Sequence, residues 1–359
     1  MVGIYLVPTP HTLRLAATPP RWGKSWDPKR WPHFQQTHCC DASSANSSGL
    51  VQHVLINSLA RHAVAAASAA SVCVVAAPPR GGCEPWETLC PPGLPLFVAD
   101  IADADDFHSM LCPTLWKGND CSANDSIVRL VSGPPVLVRR LMPRCRMLTV
   151  PWPSHARSAE VSERPRERSV RVAFAAGVYG HLLARRNGFE RWRRSLRDAC
   201  KALKEKEQCT AIYQSMAGGM ASQAVELYAR ATFCLQPPGD TIVRTGIVDA
   251  LSVGCIPVLF HPAQAALWTH FWDSSKASVL FDWTIRNRTW TSADDKAAAE
   301  EVLRVLMEMP QARVKALQRG VVEAARTTHY RGVIGKAEER DAVDVLVEHL
   351  LAVQPGRAV

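Results

Sequence analysis

One stretch, FCLQPPGDTIVRTGIVDALSVGCIPVLF from Phe233 to Phe260, constrains the fold more than any other part of the sequence. Its first four residues are typical of a buried strand, and the PPG that follows ends that strand. Asp240 and Thr241 are good N-cap residues, and the spacing predicts a helix over Ile242 to Val253, with Gly254 just beyond its end. Because CIPVLF then begins another strand, the stretch predicts the strand–helix–strand unit of a parallel α/β sheet.

The same stretch has the chemistry of a nucleotide site. A helix that starts beyond a glycine loop offers free N–H groups to a diphosphate, and Arg244 adds a charged donor in the first turn. Asp249 lies on the helix face that carries Gly246, and its carboxylate suits both hydroxyls of a ribose. Gly246 costs roughly 0.5–1 kcal/mol relative to alanine, so we expect a ligand or another backbone close to it. The alternative is that Asp249 is solvated or paired with Arg244 or Arg230.

The rest of the chain predicts two α/β domains. Residues 1–150 contain the strand candidates GIYLVP, SVCVVAAP, PLFVADIA and MLTVPWP, and helical spacing in GLVQHVLINSLARHAVAA. Residues 151–169 are rich in Pro, Ser and Arg and predict a linker. Strands and helices alternate again over residues 170–352. Two such domains favour a ligand site in the cleft between them, at the carboxyl ends of the strands.

The formal net charge of +9 is compatible with nucleic acid or with phosphorylated sugar ligands. The basic residues concentrate in RPRERSVR, Arg164 to Arg171, which predicts a solvated linker, and in ARRNGFERWRRSLR, Ala184 to Arg197, which predicts a helix surface. Aromatic residues do not alternate with these cations as in a nucleic-acid-binding stripe. We therefore predict no nucleic-acid partner.

Eight of the 12 cysteines precede residue 150 and lack the C-x-x-C spacing of a zinc site. They favour disulfides in a secretory compartment, and the sequons at Asn46, Asn124 and Asn287 agree with it. Against this, the longest apolar run is shorter than the ~20 residues that a bilayer span requires, and the N-terminus is a poor signal peptide. Membrane attachment is therefore expected only through an anchor that this sequence does not show.

The stretch from Phe233 resembles the signature of the exostosin family of glycosyltransferases, nearest to its plant xyloglucan galactosyltransferase-like branch. FCLQPPGD, Thr241, Arg244, Asp249, GCIPV and the His261-Pro262 pair fit that signature without a gap. Shorter segments, IYLVP, SAASVCVVAAP, WKGN, LTVPWPS and DAVDVLVEHLL, are similar to other family segments. The resemblance is strongest over about residues 170–290.

The resemblance implies two Rossmann-like domains in the B-type glycosyltransferase (GT-B) arrangement, with the donor bound by the C-terminal domain. It also implies inverting transfer of a sugar, galactose being one candidate, from a UDP-sugar to a glycan or glycoprotein acceptor in the Golgi or another secretory lumen. Asp249 would hold the ribose, and His261 would touch the donor sugar. The residues expected beside the diphosphate are Gly177, Arg185, Arg186, Gly239, Asp240, Thr241 and Arg244.

Departures from the family pattern leave the catalytic residues unknown. Of its Gly-Arg-Asp-His-Phe segment only DADDFHSM is present, so Asp106 and His108 are candidates for the base, or members of a solvated acidic loop. The arginine that the family has after its first donor-domain strand is missing. A catalytically weak or inactive family member, serving as a glycan- or nucleotide-binding subunit of a heteromeric synthase, is therefore the alternative function.

Two further expectations concern cofactors and tryptophans. The family's B-type site does not require a metal, so we predict no metal or other cofactor, and we expect the chain to form homo- or hetero-oligomers. Four tryptophans in the C-terminal domain are candidates for sugar stacking, although core packing is favoured for most of them. They are Trp268, Trp272, Trp283 and Trp290.

Overall fold

The computed structural model describes the strands and helices of two α/β units. The described residues are 4–6, 55–56, 58–65, 69–76, 90, 94, 96–99, 127–131, 146–152, 154–156, 168–176, 189–203, 205, 208–212, 221–239, 242–285, 291–330 and 340–352.

The described residues form two compact units. The first contains those up to Pro153 together with those from Tyr330 onwards, and the second contains Ser154–His329. The division therefore falls within the segment expected to be a linker, and the last helix of the chain groups with the first unit.

The first unit contains a five-stranded parallel sheet whose strands follow one another in chain order. Ile4, Val72 and Val74 are fully buried or nearly so, as expected for strands covered on both faces. Residues 55, 56, 58 and 59 are helical, in agreement with the predicted helical spacing. The strands are β1 (Ile4–Leu6), β2 (Val72–Ala76), β3 (Leu96–Ala99), β4 (Ile127–Val131) and β5 (Arg146–Thr149).

The second unit contains another five-stranded parallel sheet, with a different strand order. Its strands are β6 (Val170–Ala175), β7 (Cys209–Ile212), β8 (Ala231–Gln236), β9 (Ile256–Leu259) and β10 (Val279–Leu280). Their order across the sheet is β10-β9-β8-β6-β7. The chain therefore winds one way from β6 to β7 and the other way from β8 to β10. Two parallel sheets of this kind confirm the predicted α/β class with Rossmann-like domains.

Helices in the second unit follow or connect these strands, and most were expected from the sequence. An 18-residue helix that ends at Thr328 was not predicted. The helices are α1 (Phe189–Ala202), α2 (Ala221–Arg230), α3 (Thr245–Ser252), α4 (Pro262–Ala265), α5 (Ser274–Ala277), α6 (Ser292–Glu308) and α7 (Gln311–Thr328). In the first unit, α8 (Ala342–Ala352) coincides with DAVDVLVEHLL, the segment similar to a family segment.

The predicted start of α3 is wrong by three residues. The helix begins at Thr245, and Arg244, whose backbone is extended (φ −135°, ψ 122°), is its N-cap without a capping side chain. The carbonyl oxygen of Ile242 accepts a hydrogen bond from Gln264 Nε2 at 3.2 Å, so this residue is held in the loop by a tertiary contact. The end of the helix was predicted correctly, because Gly254 follows it with a φ of 76°.

The prediction of a solvated linker over Arg164 to Arg171 is wrong at its C-terminal end. Arg168 donates hydrogen bonds from Nη1 to Ala231 O at 2.8 Å and from Nη2 to Val253 O at 3.0 Å. Nη1 also reaches carbonyl oxygens of Tyr228 and Ala229 in the last turn of α2. A cation there satisfies carbonyl groups that the helix ends leave free, and it interacts favourably with the helix dipoles.

The aromatic residues after β9 belong to the core. Trp268 and Trp272 are buried, and Trp283 packs on Trp192 with a ring-centroid distance of 5.8 Å. The Trp192 ring also meets Phe260 edge-on at 5.5 Å. The expectation of core packing is therefore confirmed for three of the four tryptophans; Trp290 lies outside the described residues.

Described cysteines form disulfides in both units. Cys73 pairs with Cys90 in the first unit. In the second unit Cys200 pairs with Cys209, and Cys234 on β8 pairs with Cys255 at the start of the next strand. The predicted use of the cysteines before residue 150 in disulfides is confirmed for Cys73 and Cys90, and the two pairs of the second unit add to it. None of the helices within the described ranges is both long and apolar enough to cross a membrane.

Candidate functional site

The candidate site lies in the second unit, where the strand order reverses between β6 and β8. In parallel α/β sheets, ligands bind outside the carboxyl ends of the strands at such a switch point. Here β6 ends at Ala175 and β8 ends at Gln236. Gly239, one of the predicted diphosphate residues, follows β8 and is buried. The topology thus brings the PPG loop and the start of α3 to the edge of the sheet where a nucleotide is expected.

Arg244 reaches this edge. Its Nη2 donates a hydrogen bond to Ala175 O at 3.4 Å, so the guanidinium lies over the end of β6. The Tyr228 hydroxyl, from α2, donates to the same carbonyl oxygen at 3.3 Å. Burial raises the pKa of Tyr228 to about 12, against the opposing effect of the Arg244 charge, so this hydroxyl stays neutral. Arg244 therefore places a cation at the switch point of the second unit.

Gly246 allows close packing, but not the kind that we expected. A Cβ atom at this position would lie 2.5 Å from Gln236 Oε1, so glycine leaves room for a side chain rather than for a ligand or a backbone segment. Gln236 is fully buried, and its amide makes no hydrogen bond of normal length, although it lies near enough to Tyr228 to lower the pKa of that hydroxyl.

A second glutamine, Gln264, braces the loop between β8 and α3. Its Nε2 donates to Gln236 O at 2.9 Å, and its Oε1 accepts from Phe260 N at 2.9 Å. Because Gln264 is also fully buried, these bonds are shielded from water and hold the end of β8 against the end of β9.

Asp249 is buried, and both of its carboxylate oxygens accept hydrogen bonds from one short segment. Oδ1 accepts from Ser154 Oγ at 2.9 Å and from His155 N at 2.6 Å. Oδ2 lies 2.8 Å from His155 Nδ1. Neither of the partners considered from the sequence, Arg244 and Arg230, forms this contact. The ribose role of Asp249 stays a prediction, and three of the roughly four acceptor positions of its carboxylate are already used.

His155 is oriented by this carboxylate. Burial alone would lower the pKa of His155, but the charge of Asp249 and the hydrogen bond to it outweigh burial, so the pKa is raised above its ordinary value. With Nδ1 bonded to Asp249, Nε2 is the ring nitrogen left for another partner, and no described residue bonds to it. The side chain is 16% exposed, so the ring is not sealed inside the unit.

His261 has a structural contact that the sequence left open. Its Nδ1 accepts a hydrogen bond from Ala263 N at 2.9 Å and caps the short helix α4. Burial lowers the pKa of His261, although Asp282 acts in the opposite direction, and a neutral ring suits an acceptor nitrogen. The predicted contact with the donor sugar stays a prediction.

Most other predicted site residues lie outside the described residues, so their roles remain predictions. For metals, no group of three or more His, Cys, Asp or Glu is placed to bind one within the described parts of the chain, and the expectation of no metal is likewise untested. The predicted site residues outside the described ranges are Asp106, His108, Gly177, Arg185, Arg186, Asp240 and Thr241.

The sequence analysis missed Ser154 and His155 as site residues. They belong to LTVPWPSHA, of which LTVPWPS was compared with a family segment, but no polar role was assigned to the serine or the histidine. Nothing in local spacing links Ser154 and His155 to Asp249, which lies 95 and 94 residues further on, respectively. The segment is held in place by Ala156, which packs with Val225 and Val253.

The parallel sheet and its switch point together define a Rossmann-like class of domain. Residues 126–284 match the family model described as Exostosin GT47 domain, a range that includes β4 to β10 and the whole candidate site. This match, over less than half of the chain, confirms the family resemblance drawn from the sequence for that part of the chain.

Curated relatives of the chain come from Arabidopsis thaliana. The chain is 31% identical over 126 residues to probable xyloglucan galactosyltransferase GT19, covering 34% of this chain and 28% of that protein. It is 41% identical over 83 residues to xyloglucan-specific galacturonosyltransferase 1, covering 23% of this chain and 12% of that protein. The matched part of the chain thus spans less than a third of the length of these relatives.

Two solved structures are similar to the chain at low identity. One is the GtfA/B complex, with 11% identity, a TM-score of 0.45, and coverage of 78% of this chain and 58% of that chain. Another is the pneumococcal O-GlcNAc transferase GtfA in complex with UDP and GlcNAc, with 11% identity, a TM-score of 0.42, and coverage of 79% and 58%. At these values the similarity carries no argument about function.

Proposed function

We propose that this protein is an inverting glycosyltransferase that transfers a sugar from a UDP-sugar to a glycan acceptor. The observation that carries the proposal is the exostosin GT47 match over residues 126–284, which contains the switch point, Arg244 and Asp249. The domain match supports the fold, whereas the function is argued from the site. A cation beside the N-terminus of an eight-residue helix that no side chain caps is the arrangement that suits a diphosphate.

Galactose and galacturonic acid are the donor sugars to test first, because the relatives are named as galactosyl- and galacturonosyltransferases of xyloglucan. The basic net charge of +9 is compatible with either a neutral or an acidic sugar. The disulfides in both units support a secretory compartment, for which we propose the Golgi lumen.

The test is release of UDP from UDP-galactose and UDP-galacturonic acid with xyloglucan oligosaccharides as acceptors. We expect turnover that requires both the acceptor and the donor, with inversion at the anomeric carbon seen by NMR of the product. Hydrolysis of donor at the same rate without acceptor, or turnover with neither donor, would contradict the proposal. Arg244→Ala serves as the matched variant, because it removes the cation at the switch point and leaves the sheet intact.

A second candidate is a nucleotide-binding subunit without activity of its own. It is favoured by one observation, that Ser154 and His155 already occupy most of the Asp249 carboxylate. Binding of UDP-galactose without turnover over the whole acceptor panel would favour this function. Recovery of activity on addition of a second family member would then identify the heteromeric synthase.

A further inference from the structure

We propose that His155, held by Asp249, donates a hydrogen bond from Nε2 to the diphosphate of the donor and balances part of its charge. This rests on the proposed function, and it adds a positioning histidine that the family signature around Phe233 to Phe260 does not contain. The steps of the argument concern the orientation of the ring, its surroundings and its charge.

Orientation comes first. The Asp249 carboxylate accepts hydrogen bonds from Ser154 Oγ at 2.9 Å and from His155 N at 2.6 Å, and it lies 2.8 Å from His155 Nδ1. These contacts fix both the main chain at His155 and the orientation of its ring. Since Nδ1 donates to the carboxylate, a second proton on this ring is carried by Nε2. The ring is thus prepared to donate from Nε2 to an anion.

The surroundings of the ring match a phosphate site. Asp249 lies on α3, the helix that starts next to Arg244, and Arg244 lies over the end of β6 at the switch point. Asp249 comes four residues after Thr245, so it lies about one turn into α3, and the Tyr228 hydroxyl bonds to the same Ala175 carbonyl oxygen as Arg244. An anion bound at the start of α3 would therefore have Arg244 and His155 within the same small region.

Charge balance favours a cationic ring. Among the described residues, the charged group that acts on the His155 ring is the Asp249 carboxylate on α3, 2.8 Å from Nδ1. The ring pKa is raised by Asp249, so the stability that this pair contributes is fully present below the ordinary histidine pKa. It is lost as pH rises through the raised value, and donor binding should weaken in the same direction.

Two isosteric variants separate the two ring nitrogens. In His155→Asn the amide NH₂ takes the place of Nδ1, so the bond to Asp249 is kept and the Nε2 donor is lost. In His155→Gln the amide NH₂ takes the place of Nε2, so a neutral donor is kept and the bond to Asp249 is lost. His62→Asn is the control, because His62 forms a more exposed pair with Asp344 in the first unit.

The experiment is calorimetric titration of the full chain with UDP-galactose and with uridine, between about pH 6 and about pH 8. UDP-galactose is chosen over UDP because its diphosphate does not change charge in this range. We expect His155→Asn to bind UDP-galactose about tenfold more weakly and uridine about as well as the wild type does. The wild-type affinity for UDP-galactose should fall with rising pH, and that of His155→Asn should not change. His62→Asn should match the wild type.

Several outcomes would overturn the inference. Equal losses of uridine and UDP-galactose binding in His155→Asn would mean that His155 supports the nucleoside pocket or the fold. Unchanged binding with a reduced kcat would make it the catalytic base instead. If the wild type and His155→Asn bind UDP-galactose with the same affinity, this inference alone is overturned. If the wild type binds neither UDP-galactose nor uridine, the proposed function is overturned as well.

Discussion

The two five-stranded sheets are alike in size and parallel pairing, and they differ in strand order. In the first sheet the described strands β1 to β5 follow one another in chain order, so the winding direction does not change among them. In the second sheet it reverses between β6 and β8, and the buried polar residues Gln236, Asp249 and Gln264 collect around that reversal. A binding crevice is thus a property of the connections rather than of the strands.

An aspartate–histidine pair is present in each unit, and the two pairs extend the comparison. His155 and Asp249 are 2.8 Å apart, and the carboxylate is 5% exposed. His62 and Asp344 are 3.4 Å apart, with 28% and 31% of their side chains exposed. Loss of the aspartate should therefore lower the free energy of unfolding strongly at the switch point and weakly in the first unit.

The largest effect is expected from Asp249→Ala. Removing the buried carboxylate leaves the Ser154 hydroxyl, the His155 N–H and the ring Nδ1 without their acceptor, which we expect to lower the free energy of unfolding by roughly 3 kcal/mol. Urea denaturation followed by circular dichroism measures it. A loss under about 1 kcal/mol would show that the carboxylate is easily replaced by water.

Donor binding should give the second largest change in the free energy of unfolding. At 100 times its dissociation constant, UDP-galactose should stabilise the protein by about 2.7 kcal/mol. Hydrogen exchange followed by mass spectrometry should show local slowing at the ends of β6 and β8 and in the first turns of α3. Slowing confined to β1–β5 would mean that the first sheet, despite its continuous order, holds the nucleotide.

Gly246→Ala should destabilise the second unit by about 1–2 kcal/mol, because the new methyl group meets the buried Gln236 amide at 2.5 Å. The clash outweighs the gain of roughly 0.5–1 kcal/mol that alanine brings to a helix. Thermal unfolding of Gly246→Ala, Gln236→Ala and the double variant measures the coupling. Additive losses of unfolding free energy in the double variant would show that the side chains at positions 236 and 246 do not clash.

Asp344→Ala should have the smallest effect, about 1 kcal/mol or less. Its carboxylate pairs with the partly exposed His62 and accepts from Asp341 N at 2.9 Å near the start of α8. Neither contact belongs to the candidate site, so affinity for UDP-galactose should be unchanged. Calorimetry beside Asp249→Ala provides the comparison, and equal losses in both variants would remove the distinction between the two pairs.

Much of the second unit could be predicted from the sequence. The strands β6 to β9, the helix with Asp249, the glycine at its C-terminus and the last helix of the chain all follow local patterns of apolar spacing, glycine and proline. The family signature follows from one gapless stretch. These features depend on residues that are neighbours in the chain, where spacing and backbone preference act directly.

Only the tertiary structure decided which distant groups meet. The hydrogen bond from Gln264 to the Ile242 carbonyl holds Ile242 in the loop, and α3 begins at Thr245. Arg168 donates hydrogen bonds to carbonyl groups of α2, β8 and the end of α3. The tertiary structure also brought Ser154 and His155 to Asp249 across more than 90 residues. The physical reason is that a buried polar group must find a partner, and the packed fold, rather than local spacing, determines which one lies within reach.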